Sequence, residues 1–262
     1  MRPPPPLAEL REVAQPPSTL SRANAEHWAG PLYLRRMSIH LTRQLLRTSI
    51  SPDGVTWVMI VCGLVGAAAL TLPGLGGAVL CALLVQLQLL VDCSDGEVAR
   101  WRRQFSPSGV YLDRIGHYST EAALPVALGI RADGGWGSVG GWTTLGLVCA
   151  VVHLLNKAET DLVHVARAYA GLPLAADAVA TTRPRRSGLA RVRGALRFVP
   201  FFRAFVAVEL TLLVLLAALA DLVLGGLHGT RGLLTVLVPL SFVIAGGHLL
   251  GVLSSSRLRA GP

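Results

Sequence analysis

The sequence predicts an all-α integral membrane protein with six transmembrane helices preceded by a cytosolic amphipathic helix. Three observations carry this. The 262 residues are 52% hydrophobic and only 15% charged, with a mean hydropathy of +0.53, whereas a soluble globular domain carries about 25% charge. Six apolar segments follow one another, at roughly 55–72, 75–91, 110–130, 139–155, 198–224 and 233–253. Each is near the ~20 residues that cross ~30 Å of hydrocarbon at ~1.5 Å per residue. No strand alternation competes, and an open sheet cannot satisfy its backbone in lipid. An ordinary cytosolic enzyme and a disordered chain are both excluded by this composition.

Taken in order, residues 1–32 read as a flexible cytosolic arm. Pro3 to Pro6 form a proline run, Pro16-Pro17 follows, and no apolar stretch is long enough for a signal peptide. Residues 33–54 read as the amphipathic interfacial helix: Leu34, Met37, Ile39, Leu41, Leu45 and Leu46 alternate with Arg35, Arg36, Arg43 and Arg47. Such a helix lies on an anionic membrane surface or packs on the protein's own cytosolic face, and the two are compatible. The membrane domain is expected over 55–256, with its third span the weakest by hydropathy because it contains charges, and a cytosolic tail over 257–262.

Charge sets the orientation. With the N-terminus in the cytosol, Arg131 and Arg231 are the only two of the 24 Lys and Arg residues that fall outside. The formal charge of +9 is therefore mainly a topology signal, which removes the chief support for nucleic-acid binding. Both termini and the active site are expected to be cytoplasmic, in a multi-pass protein of the cell membrane. The basic run from Arg183 to Arg197 reads as a contact for anionic headgroups. Cys62, Cys81, Cys93 and Cys149 fit neither a disulfide framework nor a zinc site and read as small apolar residues.

The stretch from Val91 to Glu121 carries the chemistry. Asp92 and Asp95 sit at i, i+3 on one helix face at the cytosolic end of the second span; Asp113 and His117 sit at i, i+4 at the start of the third. Carboxylates converging at a membrane boundary need cations. Oxygen ligands on two facing helices suit Mg²⁺ or Mn²⁺, which bind diphosphates. Gly96 admits a ligand close to the backbone, and Arg100 is long enough to reach a phosphate or a base.

Asp92, Asp95, Gly96, Ala99, Arg100, Gly109 and Asp113 fill seven of the eight fixed positions of D-x2-D-G-x2-A-R-x8-G-x3-D-x3-D, with His117 in the eighth. This pattern resembles the signature of the CDP-alcohol phosphatidyltransferases. Ser51-Pro52-Asp53 resembles that family's usual Thr-Pro-Asn before the first span, and the likeness weakens after about residue 160. The resemblance implies transfer of a phosphatidyl group from a CDP-alcohol, usually CDP-diacylglycerol, to a hydroxyl acceptor with release of CMP. It implies Mg²⁺ or Mn²⁺ on Asp92, Asp95, Asp113 and His117, and a CDP site formed with Asp92, Gly96, Ala99, Arg100 and Gly109. His117 stands where the family's proton-accepting Asp would be. A neutral imidazole can serve as base and ligand, and Glu121, at i+4, is placed to orient its ring. Besides an active enzyme with His117 as base, the substitution allows an atypical substrate with one strong metal, or a silent paralogue.

For the acceptor, Lys157 (the only lysine), His153 and His164 form a stripe with Thr160, and Arg203 enters the fifth span from the cytosol. They read as a pocket for a phosphorylated alcohol; the alternative is a helix end meeting water. Glu209 and His248, at similar depth, read as a structural pair, and Gln86 and Gln88 as interhelical hydrogen-bonding groups. The expected acceptor is a polyol phosphate, and a homodimer is expected. The rival readings are a donor in which CDP carries a small polar alcohol, and a catalytically silent lipid-binding scaffold.

Overall fold

The computed structural model describes residues 4–17, 29–173, 201–255 and 258. The basic run at 183–197 and most of the C-terminal tail lie outside these residues. Helices and turns account for all regular structure among the described residues: α1 (Leu7–Ala14), a π turn (Gly30–Leu34), α2 (Arg35–Leu45), α3 (Pro52–Leu70), α4 (Gly74–Arg102), α5 (Pro107–Ala132), a 3-10 turn (Trp136–Ser138), α6 (Gly141–Tyr169), a second 3-10 turn (Phe201–Phe205), α7 (Ala207–Leu224) and α8 (His228–Ser254). Four of them, α3, α4, α7 and α8, are long and apolar enough to cross a membrane. All four cysteines are free. The chain divides into two compact units, Met1–Ala69 with Val79–Thr120, and Leu70–Ala78 with Glu121–Pro262.

In the first unit the arm departs from expectation. Leu7, Leu10 and Ala14 fall at i, i+3, i+7 on α1, and Leu10 and Ala14 are buried against Ile39, Leu46 and Val98, with Trp101 beside them. Residues 7–14 are thus a docked helix rather than flexible chain, because that spacing gives even a short segment one apolar stripe. Helix α2 buries Ser38, Ile39 and Thr42 while Met37 stays exposed. Its inner face is therefore partly polar. Helix α3 starts three residues before the expected span: the Ser51 hydroxyl accepts a hydrogen bond from Gly54 N at 3.1 Å, and Pro52 at the first position needs no donor there. Gln88 Nε2 donates to the Thr120 hydroxyl at 3.0 Å and Tyr33 donates to Gln86, the interhelical role expected of both glutamines.

The motif's eight-residue spacer is a helix end, a short loop and a helix start. Helix α4 stops where Arg103 adopts φ 55° and Gln104 N returns to Ala99 O at 3.0 Å, closing the last turn. Ser106-Pro107 then opens α5, with the Ser106 hydroxyl accepting from Gly109 N at 3.0 Å. This tight connection sets Asp92 and Asp95 against Asp113 and His117.

In the second unit α8 packs along α6 and α7. Asp133 caps α6 from the preceding loop. It accepts from Gly140 N (2.7 Å), Thr143 N (2.8 Å), Trp142 N (3.3 Å) and the Thr143 hydroxyl (2.7 Å). Lost hydration pushes its carboxyl upward, but these donors outweigh that and hold it below the usual carboxylate range. Arg131 is buried and donates to Leu72 O and Gly74 O at 3.0 and 2.9 Å. Arg231 donates to Ala132 O at 2.9 Å and lies 5.7 Å from the Trp142 ring centre.

Candidate active site

The signature residues meet in the first unit. His117 Nε2 lies 3.2 Å from Asp92 Oδ1 and 3.5 Å from Asp113 Oδ1. One donor atom from each of the three lies within 4.8 Å of the others. The third acid, Asp95, accepts a hydrogen bond from the Thr56 hydroxyl at 2.8 Å, which ties α4 to α3. Two carboxylates and an imidazole, all partly accessible and converging on one point, form a donor set that can hold a divalent cation.

A cleft of about 570 Å³ opens beside these groups. Asp92, Asp95, Gly96, Ala99, Arg100, Gly109 and Asp113 all line it, so every signature residue but His117 faces this space. The glycines have steric reasons. A Cβ on Gly96 would come within 3.1 Å of Arg100 Nη1, and one on Gly109 within 3.1 Å of Asp53 Oδ1. Either would crowd a polar group on the cleft wall, which would have to give by a few tenths of an ångström.

Several lining residues escaped sequence reasoning. Asp53 accepts from the Ser106 and Ser108 hydroxyls at 3.2 and 2.8 Å, bracing α3 against the start of α5. Thr56, one turn further, holds Asp95. Gln104 and Phe105 also line the cleft. In the sequence Asp53 stands out only through the Ser-Pro-Asp triplet, and Thr56 only through its i+3 spacing from Asp53.

The predicted acceptor residues lie in the second unit. Buried Glu121 takes Lys157 Nζ at 2.6 Å and His153 Nε2 at 3.0 Å, and the His153 ring stacks on Phe205 with centroids 5.2 Å apart. Arg203 stands in the same 3-10 turn as Phe205. His164 continues the stripe along α6, with a buried Nδ1 that meets no hydrogen-bond partner among the described residues. Two expectations need correction. Glu121 was expected to orient His117, but its oxygens engage His153 and Lys157, while the acids placed to orient His117 are Asp92 and Asp113. His248 was expected to pair with Glu209, but its Nδ1 lies 3.1 Å from both Glu159 Oε2 and Asn156 Oδ1. In each case the side chains of a neighbouring helix lie nearer than a residue matched only by sequence spacing or depth.

Two carboxylates and an imidazole beside a cleft can hold a divalent cation and, through it, a diphosphate. The sequence model of the CDP-alcohol phosphatidyltransferases matches residues 49–182, just over half of the 262 residues, and the chain belongs to that family. No curated protein matches it in sequence. Among solved structures, it is similar to phosphatidylinositol phosphate synthase (PgsA1) of Mycobacterium tuberculosis with CDP-DAG bound, at TM-score 0.53 and 18% identity over 87% of this chain and 98% of that one. The apo form of the same synthase gives TM-score 0.51 and 18% identity over 85% and 100%. At this identity the likeness is one of fold.

Proposed function

We propose that this chain transfers a phosphatidyl group from a CDP-alcohol, with CDP-diacylglycerol as donor, to the hydroxyl of a polyol phosphate, releasing CMP. The observation that carries the reading is the convergence of Asp92, Asp113 and His117 at the cleft that Arg100 and Gly96 line. The acceptor oxygen forms a bond to the phosphorus that bears the lipid alcohol. The P–O bond to the CMP phosphate breaks, and CMP leaves with the bridging oxygen. His117, oriented through its Nε2–H by Asp92 and Asp113, takes the proton of the attacking hydroxyl on Nδ1. Asp92, Asp95 and Asp113 would hold Mg²⁺ or Mn²⁺ beside that base, and the metal's chemistry would be to offset the diphosphate charge. Gly96, Ala99, Arg100 and Gly109 form the CDP site. Lys157, His153, His164 and Arg203 bind the acceptor, with Glu121 fixing the first two. That the similar synthase binds CDP-DAG supports a lipid donor here.

Six spans accompany this function. Helices α5 and α6, 26 and 29 residues long, complete the set with the four apolar ones, since each exceeds the bilayer's ~30 Å at ~1.5 Å per residue. Their hydropathy is low because they carry the site: Asp113, His117 and Glu121 on α5, His153 and Lys157 on α6. The protein then is a multi-pass cell-membrane homodimer with α2 (Arg35–Leu45) as its interfacial helix, a membrane domain from Pro52 to about residue 256, and both termini and the site in the cytoplasm.

The test is CMP release by purified protein given CDP-diacylglycerol, Mg²⁺ or Mn²⁺, and a panel of phosphorylated polyols. Release that depends on one acceptor, with labelled product entering organic solvent, supports the proposal. Release only from CDP carrying a small alcohol, with a water-soluble product, replaces the donor. No release with any pair refutes the enzymatic reading and leaves a lipid-binding scaffold.

A further inference from the structure

We propose that α1 is part of the donor site: Gln15, anchored on the buried carboxylate of Glu97, holds the end of α1 where the Ala14 carbonyl sets the guanidinium of Arg100. Glu97 is then a positioning residue. The inference rests on the reading of Arg100 as a donor-binding group.

Glu97 is fully buried, one residue beyond Gly96, and takes no part in lining the cleft. Its Oε1 accepts from Gln15 Nε2 at 2.8 Å and the Ser38 hydroxyl at 2.6 Å, and its Oε2 accepts from the Thr42 hydroxyl at 2.7 Å. Arg35 Nη1 adds a charge at 3.5 Å. An isolated buried carboxylate is costly, and an apolar residue of similar volume would pack as well or better. What the carboxylate adds is direction: it gathers donors from α2 and from the end of α1 onto one point of α4. Gln15 places its two amide hydrogens separately, one on Glu97 and the other on Arg35 O at 2.8 Å. The last residue of α1 is thereby fixed in place.

That residue is Ala14, and its carbonyl accepts from Arg100 Nε at 2.6 Å. A guanidinium is planar, so holding the Nε edge fixes the plane. The Nη edge lies over Gly96, close enough that a Cβ there would meet Nη1 at 3.1 Å and Nη2 at 3.5 Å. Gly96 and Arg100 both line the cleft, so the edge suited to a phosphate is presented on its wall while the arm grips the opposite edge. Leu10 and Ala14, buried against Ile39 and Val98, keep α1 in register for this contact. Arg43 Nε, 3.0 Å from Pro5 O, secures the other end of the segment.

The test uses full-length protein and initial rates against CDP-diacylglycerol in mixed micelles. The proteins are wild type, Gln15→Met, Glu97→Gln, Arg100→Ala and the double variant Gln15→Met/Arg100→Ala, with thermal midpoints recorded for each. Gln15→Met keeps side-chain length and touches no residue lining the cleft except through Arg100. Its KM for the donor should rise about tenfold, the lower range for losing a hydrogen bond to a charged group, with kcat within about twofold of wild type. Glu97→Gln keeps an acceptor for Ser38 or Thr42 and should raise KM less; if Gln15→Met does not purify, Glu97→Gln supplies the same comparison. In the Arg100→Ala background, loss of Gln15 should leave donor KM within about twofold, because the group it positions is gone. Equal increases in both backgrounds, or a fall in kcat with KM unchanged, would make the network structural only and overturn the proposal. A lower KM in Gln15→Met would mean that α1 obstructs the donor, and would also overturn it. If Arg100→Ala itself leaves donor KM unchanged, the donor-site assignment fails first and this inference with it.

Discussion

Replacing His117 tests the mechanism where this chain leaves its family's pattern. Alanine removes the group proposed as the base, an imidazole whose Nε2 stands 3.2 Å from Asp92 and 3.5 Å from Asp113. Losing a positioned general base costs roughly 10² to 10⁴ in turnover, or about 2.7–5.5 kcal/mol of barrier at about 1.36 kcal/mol per tenfold. Donor binding should persist in His117→Ala, because Arg100 and Gly96 are untouched. Aspartate restores a base but adds a negative charge. The donor atoms lie within 4.8 Å of one another, so at an effective dielectric of about 20 each new like-charge pair costs about 3.5 kcal/mol. His117→Asp should therefore recover much of the turnover while demanding more divalent cation. The assay is CMP release with full donor and metal titrations for the three proteins. Near-normal turnover in His117→Ala would remove His117 from the chemistry. A His117→Asp protein with wild-type metal demand would refute the charge argument.

Asp92→Asn, Asp95→Asn and Asp113→Asn should each abolish Mg²⁺- or Mn²⁺-dependent CMP release, and wild-type rates in any one would show that the acidic cluster is not the site. Lys157→Met should raise KM for the phosphorylated acceptor about tenfold or more, as loss of a hydrogen bond to a charged group does, with donor KM unchanged; equal changes in both would assign the Glu121 cluster to the scaffold. Asp133→Ala should lower stability by about 1 kcal/mol, the usual loss of a helix cap. Since its folded carboxyl is held below the usual range, that advantage is present above the ordinary carboxylate pKa of about 3.9 and vanishes as pH falls through the folded value; melts of both proteins from pH 6 to pH 3 check this. Single cysteines near Arg103 should label from the cytosol and those near Asp133 and His228 from outside, and cytosol-only labelling at Asp133 would break the six-span arrangement.

What was legible in the sequence was whatever a fixed spacing encodes. The three aspartates and His117 could be placed on facing helices because i+3 and i+4 steps bring side chains to one face, and the eight-residue spacer left room for only a short connection. Contacts set by register between helices were not legible. Depth in the membrane matched Glu209 with His248, but depth does not say which side chains of α6 turn toward α8, and Asn156 and Glu159 fill that role. Adjacency on α5 matched Glu121 with His117, but a carboxylate buried beside a lysine goes to the lysine. Composition misled at the arm, where prolines on both sides hide an eight-residue helix whose apolar residues number only a few.

Glu97 shows why the arm matters to the site. It occupies a variable position of the signature, so no pattern singles it out, and a glutamate near the end of a helix would ordinarily be taken for a solvated charge. Burial decides otherwise. With no water to solvate it, its oxygens draw donors from chain 82, 59 and 55 residues away, and those donors bring α1 and α2 onto the helix that carries Asp92 and Asp95. The signature thus fixes the reactive groups through one helical hairpin. The position of its arginine depends as well on a segment that the signature does not contain.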